Sequence, residues 1–356
     1  MARRLKVPTE RGPLLDGVLF DAPGGSDAVV IAITGIHGNF YSNPFYVNFG
    51  ETLNSGGIDF VYAQTCDAFG KIETRDWRTG ERVVIGSQTE DFDDAVEDVH
   101  AYVDWAESQG YAHIYLGGHS LGANKVIRYL SQVHDSRVEK FILLSPANLT
   151  HMTSGTTERE KQIVREYMAA GRSEEMLPFA LMGWAPCVAR TAHQWLFEPT
   201  LNNAHTELDG DFSQVEAITH TGMLLVGTYD NFTKGDPVAF LENINSHMPT
   251  ADDNELVFVE RTGHTYQMKE QEVADVLLET VIRWREGRHG RFGGEPAIQG
   301  EPWNSGVASL PDRERWTCSS RTRCCRLRGA DAGCGTCRDF IAALSGEGRF
   351  WAFGED

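Results

Sequence analysis

The chain has 356 residues, 41% of them hydrophobic, which is room for one large α/β domain or two ordinary ones with a sizeable core. Its formal charge of -19 argues against nucleic acid and anionic membrane as main partners, because both need a net basic face. No window approaches a membrane span and no apolar stretch follows the charged Met1-Ala-Arg-Arg start, so a soluble, cytoplasmic protein is expected.

In chain order, Leu14 to Phe20 alternates weakly and reads as an early antiparallel strand, closed by the turn Pro23-Gly24-Gly25. Ala28 to Ile33 is apolar throughout, as in a strand buried on both faces of a parallel sheet. A small-residue loop, Thr34-Gly35-Ile36-His37-Gly38-Asn39, follows it, then a helix near Pro44 to Leu53 and a short strand from Ile58 to Tyr62. Cys66 to Gly86 is polar and reads as an irregular surface excursion. Thr89 to Gln109 reads as a helix capped by Thr89, with Phe92, Val96, Val99, Val103 and Ala106 on one stripe and Gly110 at its end.

Tyr111 to Asn124 is the most informative stretch. A β-type run, Ile114-Tyr115-Leu116, meets a helix-compatible run from Leu121 to Gln132 through Gly118-His119-Ser120-Leu121-Gly122, a G-x-S-x-G pattern. A strand that turns at once into a helix strains its apex residue, so small neighbours are needed there. The pattern alone is weak, since a chain of this length matches it by chance roughly one time in five to ten. Its context must carry it.

Val138 to Leu144 is the next buried strand, ending at Ser145-Pro146. Residues 149–210 read as helical segments without strands, including a block rich in large apolar groups from Leu177 to Phe197. Strand and helix then alternate again: Met223 to Gly227, Pro237 to Asn245, Leu256 to Val259 and Gln267 to Glu286. Such alternation implies βαβ units and an α/β fold on a mostly parallel sheet.

A serine hydroxyl needs a base to take its proton and a third group to hold the base's tautomer. In a sheet of this kind, useful side chains stand on loops at the carboxyl ends of strands. Thr228-Tyr229-Asp230-Asn231 and Arg261-Thr262-Gly263-His264-Thr265 are two such loops. Asp236, which precedes Pro237, competes with Asp230 but looks more like a helix start. His220 and His247 compete with His264 but occupy no strand-end loop, and His119 is expected to pack beneath the turn without doing chemistry.

Gly118-His119-Ser120-Leu121-Gly122, then Gly227-x-x-Asp230, then Gly263-His264, each in strand-end context, resemble the α/β-hydrolase superfamily over residues 14–287. Within it the chain looks closest to small carboxylic-ester hydrolases. The resemblance implies a central, mostly parallel sheet with helices on both faces and a helical cap at about 150–210. It also implies a nucleophile Ser120, a general base His264 and an orienting Asp230. An oxyanion hole would use the N–H of Leu121 and that of Ile36, with Asn39 as the alternative second donor. The aromatic block reads as cap core, but one cap face roofs the pocket in this fold, which makes Trp184 and Trp195 candidates for substrate contact.

The expected reaction is acyl transfer from a small or medium acyl ester to water, without metal or organic cofactor. Amide, peptide, lactone or thioester cleavage by the same residues, and a non-catalytic binding protein, remain alternatives. After Gly287 the composition turns to Gly, Pro, Ser and Arg, with five cysteines between Cys318 and Cys337. A boundary is expected near 288, followed by a disordered Arg/Cys-rich tail rather than a zinc site, since the spacing matches no defensible zinc pattern.

Overall fold

The computed structural model describes residues 2–38 and 43–287. Its first strands, β1 (Ala2–Pro8) and β2 (Leu14–Phe20), form an antiparallel pair that joins Ala2 to Phe20 and Pro8 to Leu14. The sequence reading missed β1. Its alternation is confined to Leu5 and Val7, which are buried between exposed Arg4, Lys6 and Pro8. β3 (Ala28–Ile33) is buried at every position, as its composition requires of a strand covered on both faces. α1 (Phe45–Ser55) leads to β4 (Asp59–Ala63), which runs parallel to β3 and antiparallel to β2.

Residues 66–86 are not the irregular excursion expected. They carry a small antiparallel hairpin, β5 (Ile72–Arg75) and β6 (Arg82–Ile85). The Asp76 carboxylate accepts the N–H groups of Arg78 and Thr79 and folds the turn between them. Strands of four residues are too short for a period of two to stand out. The next helix also starts later than expected. Asp91, not Thr89, caps it, accepting the Asp93 N–H and opening a 3-10 turn, Phe92–Asp94, that continues into α2 (Ala95–Ser108). Gly110, at φ 83°, then turns the chain.

β7 (His113–His119), α3 (Leu121–Val133) and β8 (Val138–Leu144) make the central βαβ unit. The cap follows: α4 (Leu149–Met152), α5 (Glu158–Ala169), β9 (Met176–Leu181), β10 (Ala185–Val188) and α6 (Ala189–Phe197). The expectation of an all-helical block is corrected here. β9 and β10 pair antiparallel around Met182 and Gly183, both at positive φ. A short run of large apolar residues fits helix and strand equally, and periodicity cannot separate them. The cap is tied down by α6, where Thr191 donates to the Glu90 carbonyl at 2.7 Å and Gln194 Oε1 accepts the Phe92 N–H at 2.9 Å.

α7 (Ser213–Glu216), β11 (Thr221–Gly227), α8 (Pro237–Ser246), β12 (Glu255–Val259) and α9 (Glu270–Arg285) complete the described chain. The main sheet runs β1-β2-β4-β3-β7-β8-β11-β12, parallel from β4 onward. Alternate strand residues feed two cores. Val29, Ile31, Leu116 and Leu143 pack with α2, α3 and α8, while Val30, Ala32, Tyr115 and Ile142 pack with α1 and α9. Every carboxyl end of the six parallel strands therefore points to one rim, which is where the small loops lie. Among the described residues no helix is long and apolar enough to cross a membrane. Asn39 and the tail from 288, with its five cysteines, lie outside the described residues.

Candidate active site

β7 delivers Ser120 to that rim at φ 55° and ψ -128°, a strained backbone for a residue with a Cβ. Close approach explains the flanking glycines. A Cβ on Gly118 would lie 2.3 Å from the Gly122 carbonyl oxygen, and one on Gly122 would lie 2.2 Å from that of Ile33. The Ser120 N–H donates to the Leu144 carbonyl at 3.0 Å, which holds the turn against β8.

His264 stands on the loop after β12. Its Nδ1 is 2.8 Å from Asp230 Oδ2, and its Nε2 is buried with no hydrogen-bond partner among the described residues. Since a carboxylate only accepts, Nδ1 carries a proton, and in the neutral ring Nε2 then presents a lone pair. The edge of Phe232 packs on the His264 ring, with centroids 4.4 Å apart.

Asp230 stands on the loop after β11 and is almost wholly buried. Its Oδ1 accepts the Phe232 N–H at 2.9 Å. Burial alone would push its pKa up, but His264, the Phe232 N–H and the Ser145 hydroxyl hold it below the usual carboxylate value. Ser145 in turn accepts the Tyr266 hydroxyl at 3.0 Å. Neither Ser145 nor Tyr266 was anticipated, because a serine before a proline and a tyrosine before a helix carry no local signature. Asp236 accepts the Ala239 N–H and opens α8 ahead of Pro237, and the carboxylate bonded to His264 is that of Asp230. His220 bonds the Asp135 carbonyl and His247 stacks on Phe212, so neither joins this group.

The loop after β3 lies directly on Ser120, at Gly35. The Ile36 N–H finds no backbone acceptor among the described residues, and Leu121 is the first residue of α3, whose N–H has no partner within the helix. Trp184, at the β9–β10 turn and 45% exposed, sets its ring edge-on to His37 of this loop at 5.5 Å. Trp195 is instead 4% exposed and packs on Phe92 inside the cap core. The fold thus brings one of the two tryptophans to the loop and keeps the other away.

A second polar group sits behind the turn. Lys125 of α3 is buried, with Nζ 2.7 Å from Glu90 Oε1, 2.9 Å from Asp67 Oδ2 and 2.8 Å from Thr65 Oγ1. Burial pushes the Glu90 carboxyl up to about 8 although Lys125 opposes it, and Lys125 is held above its ordinary value by Asp67 and Glu90 despite its own burial. The sequence held a clue, since Lys125 falls four residues after Leu121 on the apolar stripe. A cavity of about 310 Å³ beside Glu90, lined also by Arg11, Cys66, Asp91 and Asp94, does not include Ser120, Asp230 or His264. Among the described residues no three His, Cys, Asp or Glu side chains are grouped to hold a metal ion.

Residues 26–178 match a family model described as serine aminopeptidase, S33. Solved structures of the same fold include GrgF, an alpha/beta hydrolase from Penicillium sp. sh18, at TM-score 0.58 and 16% identity, covering 81% of this chain and 99% of that one. The chain has the α/β-hydrolase fold. DcsB, solved with a substrate analogue, superposes on this chain with TM-score 0.57 at 16% identity, over 82% of this chain and 100% of that one. The Pyrococcus furiosus esterase Pf2001 does so with TM-score 0.50 at 19% identity, over 80% and 91%. No curated protein matches the sequence.

Proposed function

We propose that this α/β hydrolase cleaves a carboxylic ester of a small or medium acyl substrate by transfer of the acyl group through Ser120 to water. The observation that carries this reading is the pose of His264: Nδ1 tied to Asp230 at 2.8 Å and Nε2 buried and unpartnered, on the same rim as the strained Ser120. In this reading Nε2 removes the Ser120 proton as Oγ attacks the ester carbonyl. Asp230 stabilises the imidazolium that forms, and the N–H groups of Leu121 and Ile36 receive the oxyanion. His264 then protonates the departing alcohol and later activates water to release the acid. No step calls on a metal or an organic cofactor.

Ester chemistry is favoured by the esterase among the structural relatives. The aminopeptidase description of the matching family model favours amide cleavage instead, so the test must compare both. Folded protein would be exposed to a fluorophosphonate probe, with Ser120→Ala as control, and assayed on matched chromogenic esters, anilides and thioesters. We expect covalent labelling at Ser120 and turnover of the ester series first. Folded wild-type protein that stays unlabelled would overturn the serine-hydrolase reading, and preferential anilide cleavage would overturn the ester assignment.

A further inference from the structure

The loop carrying His264 contains three non-glycine residues at positive φ, Arg261 (60°), Tyr266 (56°) and Met268 (65°). A backbone of that kind persists only when its surroundings hold it. Besides the His264–Asp230 side-chain bond, two bonds tie it to the Asp230 loop: the Arg261 N–H to Thr228 Oγ1 at 2.8 Å, and the Tyr229 N–H to the Thr262 carbonyl at 2.8 Å. Among the described residues one hydrogen bond ties it to the turn bearing Ser120. His119 Nε2 lies 2.7 Å from the His264 carbonyl oxygen.

We propose that His119 is a positioning residue, whose Nε2–H bond to the main chain of His264 fixes the base to the turn that carries Ser120. This rests on the serine-hydrolase reading above. A carbonyl oxygen only accepts, so the bond requires the Nε2–H form of the His119 ring. The ring is enclosed by Phe45, Tyr46, Tyr266 and the His264 ring, at centroid distances of 4.9, 6.4, 5.7 and 4.9 Å. The ionisable groups around it are thus His264, Asp230 behind His264, and the hydroxyls of Tyr46 and Tyr266. Burial, and then His264, pull the His119 pKa down to about 3, so the ring is neutral at any working pH. That suits its place. A cation here would oppose the imidazolium that His264 must become, whereas a purely apolar side chain would leave a buried carbonyl without its donor.

The test compares His119→Gln with His119→Met, which are similar in length and volume and differ in having a donor. On an activated ester, His119→Met should lose about 10- to 100-fold in kcat, with KM within about twofold, because small misplacements of a base weigh on the chemical step rather than on binding. His119→Gln should recover most of that loss. Equal kcat for wild type and His119→Met, or equal losses in both variants, would overturn the proposal. A second measurement needs no variant: 15N-labelled wild type should show His119 as the Nε2–H form without titration between about pH 5 and 9. A titrating ring, or the Nδ1–H form, would also overturn it. Wild type that neither turns over esters nor labels at Ser120 defeats the underlying function instead, and the nitrogen signals still decide whether the bond exists.

Discussion

A Cβ atom on Gly35 would stand 2.8 Å from the Cβ of Ser120 and 3.4 Å from its Oγ, which leaves no room for a side chain there. The same atom would lie 3.0 Å from the His119 carbonyl oxygen. Gly35→Ala must therefore push the loop after β3 away from Ser120 and carry the Ile36 N–H with it. We expect fluorophosphonate labelling of Ser120 to slow by on the order of 10²-fold, the scale of losing one oxyanion donor. Unfolding should show a smaller cost of about 1–3 kcal/mol for the overpacked contact. Labelling at the wild-type rate would remove Ile36 from the oxyanion hole.

The two acids near β11 should separate cleanly. Asp230→Asn removes the acceptor that selects the Nδ1–H form of His264, and kcat should fall by about 10⁴-fold. Asp236→Asn touches only the first turn of α8, where Asn is an equally good cap, so stability and kcat should both stay near wild type. The reverse pattern in a steady-state assay would reassign the acid.

Trp184 and Trp195 make opposite predictions. Trp195→Ala opens a hole beside Phe92 in the cap core and should cost about 3–5 kcal/mol in chemical denaturation. Trp184→Ala removes an exposed ring over His37, so its effect should appear in KM and in acyl-chain preference while the melting temperature stays close to wild type. Unchanged kinetics across an acyl-length series would detach Trp184 from the substrate.

The buried Lys125 group gives stability a pH dependence. Glu90 titrates at about 8 in the folded chain, raised from 4.5, so between those values the folded state keeps a proton that the unfolded state has released. The stability this supplies is complete below about pH 4.5 and is lost as the pH rises through about 8. Glu90→Gln should remove that slope, so its melting temperature relative to wild type should rise between pH 5 and 9, roughly the span of the shift. A difference that stays flat would mean that Glu90 is ionised in the folded chain throughout. Lys125→Met leaves the buried Asp67 carboxyl without its cation and should cost about 3–5 kcal/mol.

Legibility in the sequence followed the strength of local signals. β3 and β8 were bounded to the residue, because fully buried strands are unbroken apolar runs between turn residues. The strand, turn and helix around Ser120 were equally readable, because the Gly118 and Gly122 contacts demand small residues at fixed offsets. β1, the β5–β6 hairpin and the β9–β10 hairpin were not. Each is either too short to show a period or built from residues that suit helix and strand alike.

The sequence by itself determined the α/β fold, the order Ser120, Asp230, His264, and the placing of each on a strand-end loop, since these depend on periodicity and turn chemistry over a few residues. Only the tertiary structure decided which carboxylate meets His264, which tryptophan reaches the loop after β3, that Lys125 is buried between two acids, and that His119 reaches the His264 carbonyl. Those contacts join residues from 34 to 147 positions apart. Their distances are set by sheet register and by how helices pack across it, and neither leaves a mark on the neighbouring residues.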